Sequence, residues 1–137
     1  MLNSLSSLME ELDAEDIMVV ECHTTKRKAM CTEVGRMVGF DPRKFDTQAE
    51  LCTALIHEEG HFTSGAFYRP YSPYQLKAQA EERAQRAAIR KHIPLAELQE
   101  LTKKDLAPWE LAEHFNVTTD YIWRALHYYQ DVLGVSF

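Results

Sequence analysis

No apolar run in this sequence approaches the ~18 to 20 residues needed to cross a bilayer. The opening stretch, MLNSLSSLMEELDAED, lacks the positive flank and apolar centre of a secretory leader. A cytoplasmic protein with no membrane association is therefore expected. There is no low-complexity segment, internal repeat or interdomain linker. The three cysteines, Cys22, Cys31 and Cys52, are odd in number and form no CxxC pair, which excludes a disulfide framework and a zinc ribbon and leaves reduced core thiols. Excess basic charge is missing too: fifteen Lys and Arg against twenty-one Asp and Glu give a net charge of −6. That balance works against a large phosphate-neutralising surface, so nucleic acid is not expected as a partner.

What remains is a chain of 137 residues, 45% of them apolar. A chain of this length hides roughly two-thirds of its unfolded surface on folding, enough for one core without staples. A single domain over 1–137 is expected. Leu5, Leu8, Met9 and Leu12 recur at i, i+3, i+4, i+7, which predicts a helix over about 4–12. The β-branched run IMVVEC (17–22) and the weaker candidates KAMCTEV (28–34) and RMVGF (36–40) predict a small sheet of two or three strands. Asp41-Pro42 breaks that pattern. Thr47 with Glu50 has the form of a capping box before a helix over 48–63, and Ser72-Pro73 marks the start of another over 73–92, with Ser72 as its cap.

Pro94 starts a short helix carrying Leu95, Leu98 and Leu101. A C-terminal helical pair follows over about 107–133, its second member spanning 120–133 with Ile122, Leu126, Tyr129 and Leu133 facing inward. The fold class is α+β, mostly helical with a small N-terminal sheet.

The residues that carry chemistry lie in the helix 48–63. His57-Glu58-Glu59-Gly60-His61 is an HExxH motif, and histidines at i and i+4 on one helical face can both reach one metal ion. Glu58 adjoins the first ligand without being one, which suits a general base acting on metal-activated water. Two ligands demand a third, and Glu81 and Glu82 on the next helix both offer a carboxylate.

LIHEEGHF followed by AEERAQRAAIRKHIP resembles the ImmA/IrrE family of metallopeptidases, found in mobile elements, phages and stress-response regulators. The resemblance rests on His57, Glu58, Gly60 and His61, then Glu81, Ala84, Gln85, Ala88 and Pro94, and extends over about 15–130, the tail resembling short prophage members. It implies a zincin-like packing of the HExxH helix on the second ligand-bearing helix. It also implies zinc bound by His57, His61 and Glu81, with Glu58 catalytic, in an endopeptidase that cleaves a regulatory protein such as a phage-type repressor. Glu59 stands where the family often has an apolar residue, and Gln85 where it has Asn or Asp. Gln85 is expected to support a zinc-bound imidazole through its amide oxygen.

Helical phase separates the two carboxylates independently. At about 100° per residue, Arg83, Arg86 and Arg90 fall opposite Glu81, so Glu81 faces inward and Glu82 turns toward the arginines. Tyr68, Tyr71 and Tyr74, in or near the intervening loop, are read as loop packing, with oxyanion stabilisation as the functional option. His23, His92, His114 and His127 have no spacing to the site and are expected as surface or capping residues, and Lys26-Arg27-Lys28 as a solvated loop.

Two other readings stand beside the peptidase. ELAEHFNVTTDYIWRAL (110–126) has the outline of a DNA-binding helix-turn-helix, though Asp120 in the leading turn of its second helix would repel phosphate. A non-catalytic relative could instead keep the metal and act through protein–protein contacts.

Overall fold

The computed structural model describes residues 4–137. Ser4 starts helix α1 (Leu5–Ala14) with a reciprocal cap: its hydroxyl accepts from the Ser7 amide at 3.1 Å, and the Ser7 hydroxyl accepts from the Ser4 amide at 3.2 Å. Leu8 and Leu12 are buried, and Leu5 and Met9 pack beside them, so the predicted apolar stripe is the one the helix hides.

Three strands follow, β1 (Met18–Glu21), β2 (Ala29–Thr32) and β3 (Met37–Phe40), in the order β1-β3-β2. β3 pairs in parallel with β1, placing Met18 opposite Met37, and antiparallel with β2, placing Ala29 opposite Phe40. The third strand begins one residue later than expected because Gly35 and Arg36 both take positive φ in the preceding turn.

Asp41 closes the sheet region. Its side chain is wholly buried, accepting from the Thr24 amide at 3.1 Å and from Arg43 Nη2 at 2.7 Å and Nε at 2.9 Å. These bonds tie the β1–β2 connection to the exit of β3. A 3₁₀ turn (Pro42–Lys44) then leads to helix α2 (Gln48–Ser64). Thr47 caps it as expected, accepting from the Glu50 amide at 3.1 Å. The return arm of the box is displaced, because Glu50 accepts from the Asp46 amide instead, at 2.9 Å.

Helix α3 (Tyr74–His92) starts one residue after the predicted position, and Ser72 does not cap it. The Ser72 hydroxyl accepts from the Arg69 amide at 3.0 Å, so it is spent within the loop, and Pro73 holds an extended ψ of 149° at the helix boundary. Ala80, Ala84, Ala87 and Ala88 form a buried small-residue face on α3. Gly60 of α2 meets it: a Cβ on Gly60 would lie 2.1 Å from the Ala84 carbonyl oxygen. Only a residue without a side chain lets the two backbones approach this closely.

Pro94 precedes α4 (Leu95–Lys103), and α5 (Pro108–Phe115) joins α6 (Thr119–His127) through Asn116, which takes the left-handed conformation with φ 54°. Thr118 caps α6 by accepting from the Tyr121 amide at 3.2 Å. The expected continuous helix over 120–133 is not what forms. After His127 the chain widens into a π turn (Tyr128–Val132), the α-helical phase is lost, and Leu133 is 52% exposed although Ile122 and Tyr129 are buried as predicted. One cluster of buried apolar side chains draws on α1, the sheet and every later helix. No helix among the described residues is long and apolar enough to cross a membrane.

Two outcomes test this packing. Gly60→Ala should cost about 3 kcal/mol or more in urea denaturation, because the obstructing atom is backbone and cannot rotate away; an unchanged midpoint would show that α2 and α3 do not meet there. Asp41 supplies a pH signature. Hydrogen bonds from Arg43, then from the Thr24 and Arg43 amides, outweigh burial and hold its carboxyl well below the ordinary 3.8. A depressed carboxyl stabilises the fold above its unfolded value and loses that contribution as pH falls through the folded one. Asp41→Asn should therefore be less stable than wild type at pH 7, and the gap should narrow below about pH 4; a gap independent of pH would contradict this.

Candidate metal centre

Helix α2 places His57 and His61 one turn apart, with ring centroids 5.2 Å apart and planes perpendicular. The close approach at Gly60 brings α3 over them, so that Glu81 Oε2 lies 2.6 Å from His57 Nε2 and 3.4 Å from His61 Nε2. One donor atom from each of the three falls within 4.8 Å of the others. Glu82 points away and pairs with Arg86 at 2.9 Å, as the phase argument predicts. The structure thus brings His57, His61 and Glu81 together and leaves Glu82 outside.

The hydrogen bonds show which ring nitrogens are free. His61 Nδ1 lies 2.6 Å from the Ala66 carbonyl oxygen. A carbonyl only accepts, so Nδ1 carries the proton, and in the neutral ring the Nε2 lone pair is left facing Glu81. Two electron-rich atoms face each other across that gap, and a cation or a proton must lie between them. Ligands on a tetrahedral zinc at 2.0–2.1 Å stand about 3.3–3.4 Å apart. The His61–Glu81 separation already matches that spacing, whereas the 2.6 Å His57–Glu81 contact is that of a shared proton. Two imidazoles and one carboxylate suit zinc better than calcium or magnesium, which prefer all-oxygen shells. The residues present therefore form a group that could hold a metal ion.

The electrostatics agree. Hydrogen bonds with His57 and then His61 outweigh burial and hold the Glu81 carboxyl far below its ordinary range. Burial pulls the His61 imidazole down, but Glu81, the Ala66 carbonyl and the Glu58 charge together raise it. Glu58 is 8% exposed. A Glu58 carboxylate oxygen, a His61 ring nitrogen and the Cys31 thiol of β2 lie within 4.8 Å of one another. Burial, then the Glu58 charge, pushes that thiol upward.

Several participants escaped the sequence reading. Gln85 does not support an imidazole: its Oε1 accepts from Arg124 of α6 at 2.9 Å. The Ala66 backbone takes that part. Tyr68 is more than loop packing, since its hydroxyl donates to Glu81 Oε1 at 2.6 Å and accepts from Arg27 Nη2 at 2.6 Å. Arg27 is exposed, as expected of a solvated run, yet it reaches the centre through Tyr68. Tyr71 and Tyr74 are exposed. Of the cysteines, all free, only Cys52 is fully buried, and Cys22 and Cys31 are half-buried.

His92, expected at the surface, is half-buried against Glu59. His114 pairs with Glu97 and His127 with Asp131, away from the centre.

The centre opens into a cleft of about 1020 Å³, with Ala29 of β2 on one wall, His57, Glu58 and Glu81 within it, and Asp120 and Arg124 of α6 on another wall. No protein-family model matches the chain, and no curated protein or solved structure matches it. The residues that could hold a metal are thus defined by their own geometry.

A metal titration checks the assignment. Glu81→Ala should weaken zinc binding at the His57–His61 pair by ~10-fold or more, whereas Glu82→Ala should leave it unchanged. A loss confined to Glu82→Ala would mean that the wrong carboxylate has been chosen.

Proposed function

We propose that this chain is a zinc-dependent endopeptidase with zincin-like packing, related to the ImmA/IrrE metallopeptidases, that cleaves a regulatory protein in the cytoplasm. The observation that carries this reading is the convergence of His57, His61 and Glu81 beside the buried carboxylate of Glu58, at an open cleft. The resemblance in the two ligand-helix motifs suggests a repressor of the phage or mobile-element kind as the substrate.

His57, His61 and Glu81 would hold the ion, which when bound supplies the Lewis acidity that makes water a nucleophile near neutral pH. The protein's own groups do the rest. The Ala66 carbonyl fixes the His61 tautomer, so that Nε2 faces the ion site. Tyr68, held by Arg27, binds Glu81 Oε1 and leaves Oε2 directed at the histidines. Glu58 would take the proton from the attacking water and pass it to the leaving amine nitrogen. The cleft, open and about 1020 Å³, has room for a segment of extended peptide.

The helix-turn-helix outline of α5 and α6 gains little support. Asp120 and Arg124 line the cleft, Arg124 bonds to Gln85, and the Asp120 charge in the leading turn of α6 would repel phosphate.

Glu58→Gln tests turnover. The amide cannot take the proton, so the variant should keep its metal and its melting temperature while losing ~10²–10⁴-fold in cleavage of a co-expressed regulator encoded by the same element. Equal cleavage by the two proteins would remove Glu58 from this role. Metal retention with no cleavage by wild type would favour the non-catalytic relative.

A further inference from the structure

Glu59 lies about 200° around α2 from His57, on the side away from the cleft. Its side chain is 1% exposed. A carboxylate so deeply buried needs compensation from its surroundings. His92, the last residue of α3, brings Nε2 into hydrogen-bond contact with Glu59 Oε1, and Lys91 Nζ reaches Glu59 Oε2 at 3.2 Å. From α1, Glu11 Oε2 approaches His92 Nε2 to 3.4 Å and Lys91 Nζ to 3.7 Å. That Glu11 oxygen is buried and has no hydrogen-bond partner among the described residues.

Lys91 does not balance this cluster. Its closest contact is with Glu15, and three carboxylates (Glu11, Glu15 and Glu59) face its single ammonium. The arrangement repeats that of the front centre: an imidazole Nε2 proton-bridged to one carboxylate oxygen, and a second contact at 3.4 Å. One donor atom from each of Glu11, Glu59 and His92 lies within 4.8 Å of the others.

We propose that Glu11, Glu59 and His92 form a second divalent-cation site, suited to zinc, that ties α1 and the end of α3 to the back of α2. One imidazole and two carboxylates are a donor set that zinc accepts, and the ligands come from three separate helices. On binding, the proton shared by His92 and Glu59 leaves to solvent, the Glu11 oxygen gains a partner, and Lys91 stays with Glu15. The site is structural, a brace behind the helix that carries His57 and His61. It does not depend on the proposed peptidase activity.

Zinc titration of the full-length, chelator-stripped protein by calorimetry, with melting temperatures alongside, tests it. Wild type should bind about two zinc ions per chain and the His57→Ala/His61→Ala protein about one, with zinc still raising the latter's melting temperature. Adding Glu11→Gln to that double variant should abolish the remaining binding and the zinc-induced shift. Glu11→Gln replaces a half-exposed side chain with one of the same shape, so its fold can be verified in chelator by its melting transition; His92→Ala serves as a second probe. If the His57→Ala/His61→Ala protein binds no zinc, or if Glu11→Gln leaves its binding unchanged, the site does not exist.

Discussion

The contact between Gly60 and the Ala84 carbonyl is the constraint on which the rest of the site depends. At this point α2 and α3 touch backbone to backbone, closer than any side chain permits. Ala84 is three residues beyond Glu81 and therefore on the same helical face, so the approach that seats Ala84 on Gly60 also carries the Glu81 carboxylate onto the His57–His61 pair. A larger residue at 60 would push the two helices apart, and a shift of even 1 Å would take the third donor out of reach of a shared ion. The alanines at 80, 84, 87 and 88 serve the same geometry by keeping the α3 face flat.

Helix α2 carries ionisable groups on both sides, which is costly unless each is partnered. On the cleft side, Glu81 is bonded to His57 and to Tyr68, with His61 Nε2 3.4 Å from its Oε2, and Tyr68 is in turn bonded to Arg27 from the β1–β2 connection. On the rear, Glu59 is held by His92 and Lys91. The sheet is braced by a third buried carboxylate, Asp41, whose bonds to Thr24 and Arg43 fix the loop that also delivers Arg27. Local order around the site therefore comes from paired charges as well as apolar burial. This explains why a helix with polar residues such as Glu58, Glu59 and His61 in its buried set can stand at the centre of the molecule.

Much of this was legible in the sequence wherever the signal is periodic or local. The i, i+4 histidines, the inward phase of Glu81 against the outward arginines, the Thr47 cap and the apolar stripe of α1 all follow from helical geometry. What was not legible depends on contacts between distant segments or on backbone atoms. The Ala66 carbonyl that orients His61 has no side-chain signature. Arg27 meets Tyr68 across forty-one positions. Glu59 stands where an apolar residue was usual, and that departure was the one available hint of the rear cluster, since a buried acid implies partners. Gln85 was assigned to an imidazole from its place one helical turn beyond Glu81, but its oxygen accepts a charge-assisted bond from Arg124 of α6 instead. The π turn after His127 defeated the inner-stripe reading because a period of 3.6 assumes an α-helix throughout.

Helices α2 and α3 bring His57, His61 and Glu81 close enough to share one metal ion. Crystals of the zinc-loaded protein, with anomalous data collected on both sides of the zinc absorption edge, test it most directly. An edge-dependent peak is expected about 2.0–2.1 Å from His57 Nε2, His61 Nε2 and an oxygen of Glu81, with the direct His57–Glu81 hydrogen bond replaced. Zinc-loaded crystals with no peak between these residues and that hydrogen bond intact would contradict it.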